Sequence, residues 1–430
     1  MLYLQIRIPT DDPDIQTNRP ADEQNMDDHI SQPYALLLLP HPPSSSFPRL
    51  KEAYGPGLSA VFSKLSATLD GANRIALLDI ALPVPGVLSP RCQPRAKIFN
   101  SLQRLLASFY KLVGVICAAA NIELDGPGGV DTRVFFVDYD PTGGLSSSKQ
   151  GPVIDLRTLA TCGRPWEDVY TFETKTGKEL AAAFSTYLRS QAGDSQLPKF
   201  SAVPGGEESI PSDDLLTTND SQLFRHYSVA VGGTWDHLHV GHKLLLTATA
   251  LAIDPLADSN QSKERLMTIG VTGDELLVNK KYAEFLESWD ERWQSARSFL
   301  DAIIDFSPPE THVANIQRIS NPEPNGKYVL VKVTPDLSLK FVQISDPFGP
   351  TITDPSISAL VVSQETRSGG KAVNDKRAER GWPSLDVFEV DVLHSGEVAE
   401  TAESTAASFE SKISSTDIRR RRMDMAKGNL

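Results

Sequence analysis

The chain has 430 residues, of which 40% are hydrophobic and 23% charged, and a formal charge of -13. That length allows two or three domains with a sizeable core, and the acidic balance argues against a protein that coats nucleic acid. Cys92, Cys117 and Cys162 are the three cysteines; they fit neither a zinc spacing nor a disulfide framework, so a reducing compartment is expected.

Residues 1–32 read as an acidic N-terminal segment with few core formers, most acidic between Asp11 and Asp28. They lack the layout of a secretory signal and are too acidic for a mitochondrial presequence. From 33 to 191 the pattern is that of a mixed α/β domain. RIALLDIAL (Arg74 to Leu82) and RVFFVD (Arg133 to Asp138) read as buried strands. Lys97 to Asn121 has helical periodicity, with Leu102, Leu105, Leu106, Phe109, Leu112 and Val113 as core candidates. Glu179 to Gln191 reads as another helix. This half carries no motif that can be tied to chemistry. Residues 192–224, rich in Gly, Ser, Pro and Asp, read as a linker.

Residues 225–430 alternate. Strands are expected at Tyr227 to Val231, Leu266 to Val271, Phe341 to Ile344, Ala359 to Ser363 and Leu385 to Val392. Helices are expected at Gly241 to Ile253, Trp289 to Phe306 and Lys371 to Arg380. The pattern implies an α/β, doubly wound parallel sheet of Rossmann-like type, with ligands beyond the carboxyl ends of the strands. Residues 307–340 read as an insertion with a hairpin around YVLVKV. No stretch is expected to approach the length of a membrane span.

The first strand runs into GGTWDHLHVGHKLLL, Gly232 to Leu246. Gly232 and Gly233 allow a sharp turn and close approach of a ligand. Thr234 offers a hydroxyl and an N–H to a phosphate. His239 and His242 straddle Gly241, which leaves room for a nucleotide where the helix begins. Helix-start N–H groups and two imidazoles make an anion site. A metal site is the competing reading, but no Cys or carboxylate cluster nearby completes it. GTWDHLHVGH resembles the H-x-G-H signature of the nucleotidylyltransferase superfamily, matched at Gly233, Thr234, Trp235, Asp236, His239, Gly241 and His242. His237 lies outside the pattern.

Near the chain's end is KISSTDIRRRRM, Lys412 to Met423. Ser414, Ser415 and Thr416 supply hydroxyls and an N-cap, and Asp417 suits a first helical turn. ISSTDIR resembles the adenylyltransferase form of the superfamily's second motif, which points to ATP rather than CTP. VTGDELLVNKK (Val271 to Lys281), SDPFGPTITDP (Ser345 to Pro355) and VVSQETRSGGKAVNDKR (Val361 to Arg377) are similar to the eukaryotic phosphopantetheine adenylyltransferases. They also resemble the corresponding domain of the bifunctional coenzyme A synthase of animals. No phosphate loop of the G-x-x-x-x-G-K-[ST] kind is present, so the resemblance is to the monofunctional, fungal form.

The resemblance implies transfer of AMP from ATP to 4′-phosphopantetheine, giving dephospho-CoA and pyrophosphate. It implies His242 at the α-phosphate, Thr234 and Asp236 beside the acceptor, and His239 on ATP phosphates. By looser analogy, Lys280 or Lys281 would bridge the reacting phosphates. Arg367 would meet the β- and γ-phosphates, and Ser414, Ser415, Thr416 and Arg419 the triphosphate. Gly232, Gly233 and Gly241 would line the nucleotide. Asp236 and Trp235 also have structural readings, fixing the turn and packing the core. Mg2+ is expected with ATP, and no protein-held metal is expected. Other enzymes of coenzyme A synthesis are candidate partners; nucleic acid and membrane are not. A cytoplasmic location is expected, and the basic run Arg419 to Arg422 leaves a nuclear fraction open. The alternatives are a cytidylyltransferase, a nicotinamide-mononucleotide adenylyltransferase, or a non-catalytic scaffold.

Overall fold

The computed structural model describes residues 32–69, 74–124, 126–139, 148, 150–192, 197–206, 213–221, 224–256, 264–308, 315–393, 409 and 414–428. The expected acidic segment lies almost wholly outside them.

The first sheet contains β1 (Tyr34–Leu38), β2 (Ala76–Pro83), β3 (Val130–Asp138), β4 (Val153–Asp155), β5 (Asp168–Phe172) and β6 (Lys199–Val203), in the order β4-β3-β2-β1-β5-β6. Every pairing is parallel. A parallel sheet needs both faces covered, and β1 illustrates how. Leu36 and Leu38 face a core with Leu159, Leu180 and Phe184, from α3 (Leu156–Thr161) and α4 (Lys175–Ala192). Ala35 and Leu37 face the opposite core, with Leu58 and Phe62 of α1 (Phe47–Ala67) and Leu105 and Phe109 of α2 (Phe99–Ala119).

Two sequence expectations need correction here. The stretch read as a linker is not only a connector: Lys199–Val203 forms β6 and pairs with β5 over five residues. Its alternation was masked because an edge strand has one partner and stays largely exposed. The second concerns membrane-span length. Helix α2 is long and apolar enough by length and composition, but most of it is buried inside the protein. It is buried on most sides because it packs between α1 and a helix of the second half.

The second sheet contains β7 (Ser228–Gly233), β8 (Arg265–Thr272), β9 (Asn315–Ser320), β10 (Lys327–Thr334), β11 (Leu337–Ile344), β12 (Ala359–Ser363) and β13 (Asp386–Val390). Its order is β13-β12-β7-β8-β11-β10-β9. The five strands from β13 to β11 are parallel; β10 and β9 add antiparallel. This is the expected doubly wound, Rossmann-like sheet. The stretch read as an insertion widens it by a meander rather than standing apart. Val229, Val231, Met267 and Ile269 face Leu244 of α5 (Val240–Leu251) and Phe299, Leu300 and Ile303 of α6 (Trp289–Ile304). Ala230, Leu360 and Val362 face Val373 of α7 (Arg367–Glu379). A last helix, α8, spans Ser415–Gly428.

The halves are fastened to each other. Helix α2 packs on α5, and Phe409 presses its ring so close to Gly114 of α2 that a Cβ there would sit 2.5 Å from it. Arg95 donates its backbone N–H to Asp254 at 2.8 Å and its guanidinium to the Ile253 carbonyl at 3.1 Å. Arg164 donates to the fully buried Asp79 at 2.8 Å and caps the end of α6 through the Ala302 and Asp305 carbonyls. Asp79 also accepts from Tyr34 (2.7 Å) and Trp166 (2.9 Å). Cys92, Cys117 and Cys162 are all buried, and burial pushes the Cys162 thiol up to about 11.

Removing the guanidinium would leave the Asp79 charge buried and the end of α6 uncapped. Arg164→Met is therefore expected to cost about 3–5 kcal/mol, read as a lowered urea midpoint. An unchanged midpoint would mean the halves are not fastened there.

Candidate active site

Strand β7 ends at the carboxyl edge of the second sheet, between β8 and β12, where a doubly wound sheet places its ligands. The loop from Thr234 to His239 follows, and two of its residues are left-handed without being glycine: Trp235 (φ 59) and His237 (φ 49). Such backbone persists only when its surroundings hold it. The indole of Trp235 is fully buried and donates to the Gly270 carbonyl at 2.9 Å. The His237 backbone N–H donates to Glu287 at 2.7 Å and its ring Nε2 to the Phe285 carbonyl at 2.8 Å. Asp236 accepts from the Glu287 backbone N–H at 3.0 Å. Arg292 of α6, fully buried, ties the Thr234 and Thr272 carbonyls at 2.7 and 2.8 Å and binds Asp274.

His239 is the N-cap of α5, and its Nδ1 accepts the Gly241 N–H at 3.2 Å. In a neutral imidazole this puts the proton on Nε2, making that edge a donor. The rings of His239 and His242 stack 3.9 Å apart at 20°. Nδ1 of His242 is buried with no hydrogen-bond partner. The space beside Gly241, expected to admit a nucleotide, is filled by the His239 ring, 3.2 Å from where a Cβ would stand. Gly233 gives room to the Trp235 indole, 2.8 Å from its own hypothetical Cβ, whereas a Cβ on Gly232 would meet nothing within 4 Å. Gly232 lines a cleft of about 180 Å³ with Ile344, Phe348, Pro350, Val362 and Gly369.

The second motif docks on this loop. Ser414 caps α8 by accepting the Asp417 N–H at 3.3 Å. Ser415 donates to the Asp236 carbonyl at 2.8 Å. Arg419, 2% exposed, pairs with the Asp236 carboxylate, donates to Thr416 at 3.2 Å and donates to the Lys281 carbonyl at 3.0 Å. Thr234 and Asp236 thus stand in the loop that leads to His239 and His242, Ser415 and Arg419 bind Asp236, and Thr416 binds Arg419. The guanidinium assigned to a triphosphate is engaged by protein groups. Lys280 and Lys281 sit in the loop after β8 with exposed side chains. Arg367 opens α7, next to the cleft-lining Thr366, but is turned into an ion pair with Glu389 of β13.

Among the described residues, Asp236, His237 and Glu287 bring three metal-ligand atoms within 4.8 Å of one another. Carboxylates therefore do lie beside the histidine run, contrary to the sequence reading. Their charges already face Arg419 and His237, so the donor set is an ion-pair network rather than a fit for a resident cation. The His237 ring, although burial opposes its charge, is raised by its bond to Glu287 and by the charges of Asp236 and Glu287. Glu287 is held below its ordinary range, the His237 bond and charge outweighing burial. Sequence reasoning missed Glu287 and Arg292. Arg292 had a signal, since it shares the buried stripe of α6 with Ala296, Phe299 and Ile303.

Burial pushes His242 down to about 4, and burial with the charges of His242, Lys243 and His237 pushes His239 well below its ordinary value. Both rings are neutral at physiological pH. A ring neutral in the fold but protonated when unfolded stabilises fully above about 6.5, and that contribution falls away toward pH 4. Wild-type protein should lose stability across that window. His242→Asn should lose less, by about 1.4 kcal/mol per pH unit, in urea titrations at stepped pH. Equal slopes would exclude a buried neutral ring.

Residues 24–209 match a family model described as a domain of unknown function, DUF8446. Over 208 residues the chain is 34% identical to the phosphopantetheine adenylyltransferase of Saccharomyces cerevisiae, covering 48% of this chain and 52% of that one. It thus spans about half the length of that relative. It is 27% identical to the phosphopantetheine adenylyltransferase of Pyrobaculum aerophilum over 40% of this chain and 84% of that one. A longer match joins both halves: 30% identity over 332 residues, 77% of this chain and 83% of the uncharacterized protein C1F12.08 of Schizosaccharomyces pombe. The chain belongs to the family of that fission-yeast protein.

Proposed function

We propose that this protein is a nucleotidyltransferase that moves AMP from ATP to 4′-phosphopantetheine, forming dephospho-CoA and pyrophosphate. The observation that carries the reading is the juxtaposition of two neutral, stacked histidines at the start of α5 with the ISSTDIR helix, joined through Arg419 and Asp236. The similarity of 48% of the chain to the phosphopantetheine adenylyltransferase of Saccharomyces cerevisiae, and of 40% to that of Pyrobaculum aerophilum, supports the choice of substrates.

The acceptor phosphate, with a second pKa of about 6, is already ionised at neutral pH and needs no general base. One of its oxygens attacks the α-phosphorus of ATP. The new P–O bond forms as the bond to the bridging oxygen of pyrophosphate breaks. Catalysis then consists of alignment and stabilisation of charge at the α-phosphate. His242 donates to that phosphate, His239 offers its Nε2 proton to ATP oxygens, and Thr234 holds the acceptor. Lys280 or Lys281 reaches over from the loop anchored by Arg419. The hydroxyls of Ser414 and Thr416, whose protons are free to donate, and the first N–H groups of α8 face the triphosphate, while Ser415 seats the helix on the Asp236 carbonyl. Arg367 releases Glu389 to meet the terminal phosphates. ATP would bring Mg2+ with it as its counter-ion. The cleft beside Gly232 receives an apolar part of a substrate.

Purified protein with magnesium-ATP is expected to release pyrophosphate with 4′-phosphopantetheine, and not with nicotinamide mononucleotide or phosphocholine, nor with CTP as donor. Release with another pair would change the substrate assignment. Silence with every pair would overturn the enzymatic reading. His242→Ala should lower kcat about 10²–10³-fold with little change in melting temperature; near-normal turnover would remove His242 from the mechanism. Arg419→Lys keeps the charge but loses the fork, and should raise KM for ATP more than it lowers kcat. An unchanged KM would separate the α8 docking from nucleotide binding.

A further inference from the structure

The N-terminal half carries no motif of its own, yet one short stretch of it touches both functional helices. We propose that two carboxylates of the first half clamp the transfer site: Asp131 positions α5 through Lys243, and Glu123 positions α8 through Arg421.

Lys243 directly follows His242 and is 2% exposed. Its ammonium reaches Asp131 at the start of β3 and lies about one ring distance, 6.0 Å, over Phe299. A buried ammonium against an aromatic ring requires a counter-charge, and Asp131 supplies it. The second oxygen of Asp131 accepts from Arg133 at 3.2 Å, and β3 is paired with β2 at this residue. The carboxylate therefore cannot follow Lys243 if α5 shifts; it fixes where the first turn of α5, and so His242, stands.

Glu123 lies at the other end of the same stretch. It accepts from Arg421 at 3.1 Å, with both side chains less than a third exposed. Arg421 is two positions beyond Arg419, about 200° around the helix. Helix α8 is thus gripped on one side by Asp236 of the histidine loop and on the other by the N-terminal half. The backbone at Glu123 is tied to the residues just before Asp131. The Glu123 carbonyl accepts the Val130 N–H at 2.9 Å, and Gly129 passes so close that a Cβ would sit 2.4 Å from that carbonyl oxygen.

The functional part of this inference rests on the adenylyl-transfer reading; the mechanical part does not. Two measurements on the full-length protein separate them. Hydrogen exchange should show Asp131→Asn raising exchange in the first turns of α5, and Glu123→Gln raising it in α8, each at least threefold, at temperatures where both variants remain folded. Unchanged exchange overturns the clamp, whatever reaction the site performs. In the pyrophosphate assay Asp131→Asn should lower kcat about tenfold with little change in KM. Glu123→Gln should raise KM for ATP severalfold with little change in kcat. Adding Lys243→Met to Asp131→Asn removes the stranded charge, and Glu123→Arg with Arg421→Glu restores the pair in reverse; each should recover most of the loss. Faster exchange with unaltered kinetics overturns the functional role and leaves only a structural one. A wild-type protein inactive with every substrate pair defeats the transfer reading, and the exchange result still decides the clamp.

Discussion

Asp236 has no exposed surface, and its two oxygens are divided between a backbone N–H from residue 287 and a guanidinium from residue 419. Segments about fifty and one hundred and eighty residues away in sequence meet on a single carboxylate. A charge so placed is stable only while both partners stay, since removal of one partner from a buried pair typically costs about 3–5 kcal/mol. The left-handed residues on either side, Trp235 and His237, inherit their geometry from that anchorage. The histidine pair, the start of α5 and the seat of α8 all follow from it.

Much of this was legible in the chain because it is local. The strand, Gly-Gly turn and helix around Gly232 to Leu251 are contiguous, and the periodicity of α2 and α6 marks their buried stripes. The parts that were not legible are tertiary. Nothing near Glu287 announces that it receives His237, and nothing near Arg419 announces that Asp236 pairs with it. The pairing of Arg367 with Glu389 is equally silent in the sequence, because it depends on β12 and β13 pairing in register beside the start of α7. The β6 edge strand was hidden in a stretch whose composition suits a connector. Composition reports average burial, and an edge strand is close to that of a loop.

The two sheets have related designs. In the first, six parallel strands reverse direction of winding between β1 and β5. In the second, β7 holds the equivalent central place and carries the histidine loop. The match to the fission-yeast protein is too long to lie within either half, so the two have been kept together in that family. The layer of α1, α2 and α5 explains how this can be so physically. Leu105, Phe109, Leu244 and Leu246 belong to one continuous core, and separating the halves would expose an apolar helix suited neither to water nor, with its neighbours attached, to a bilayer.

That shared core bears on the placement of the thiols. All three cysteines are in the first half, on α2, on α3's flank and after β2, and each is buried, while the second half contains none. A thiolate must be exposed before it can react. Alkylation of this protein therefore clocks the opening of its N-terminal half alone, and the half with the histidines is silent to the reagent. If the halves open as one cooperative unit, the rate at which thiols become accessible and the rate at which the histidine loop loses its geometry are the same number.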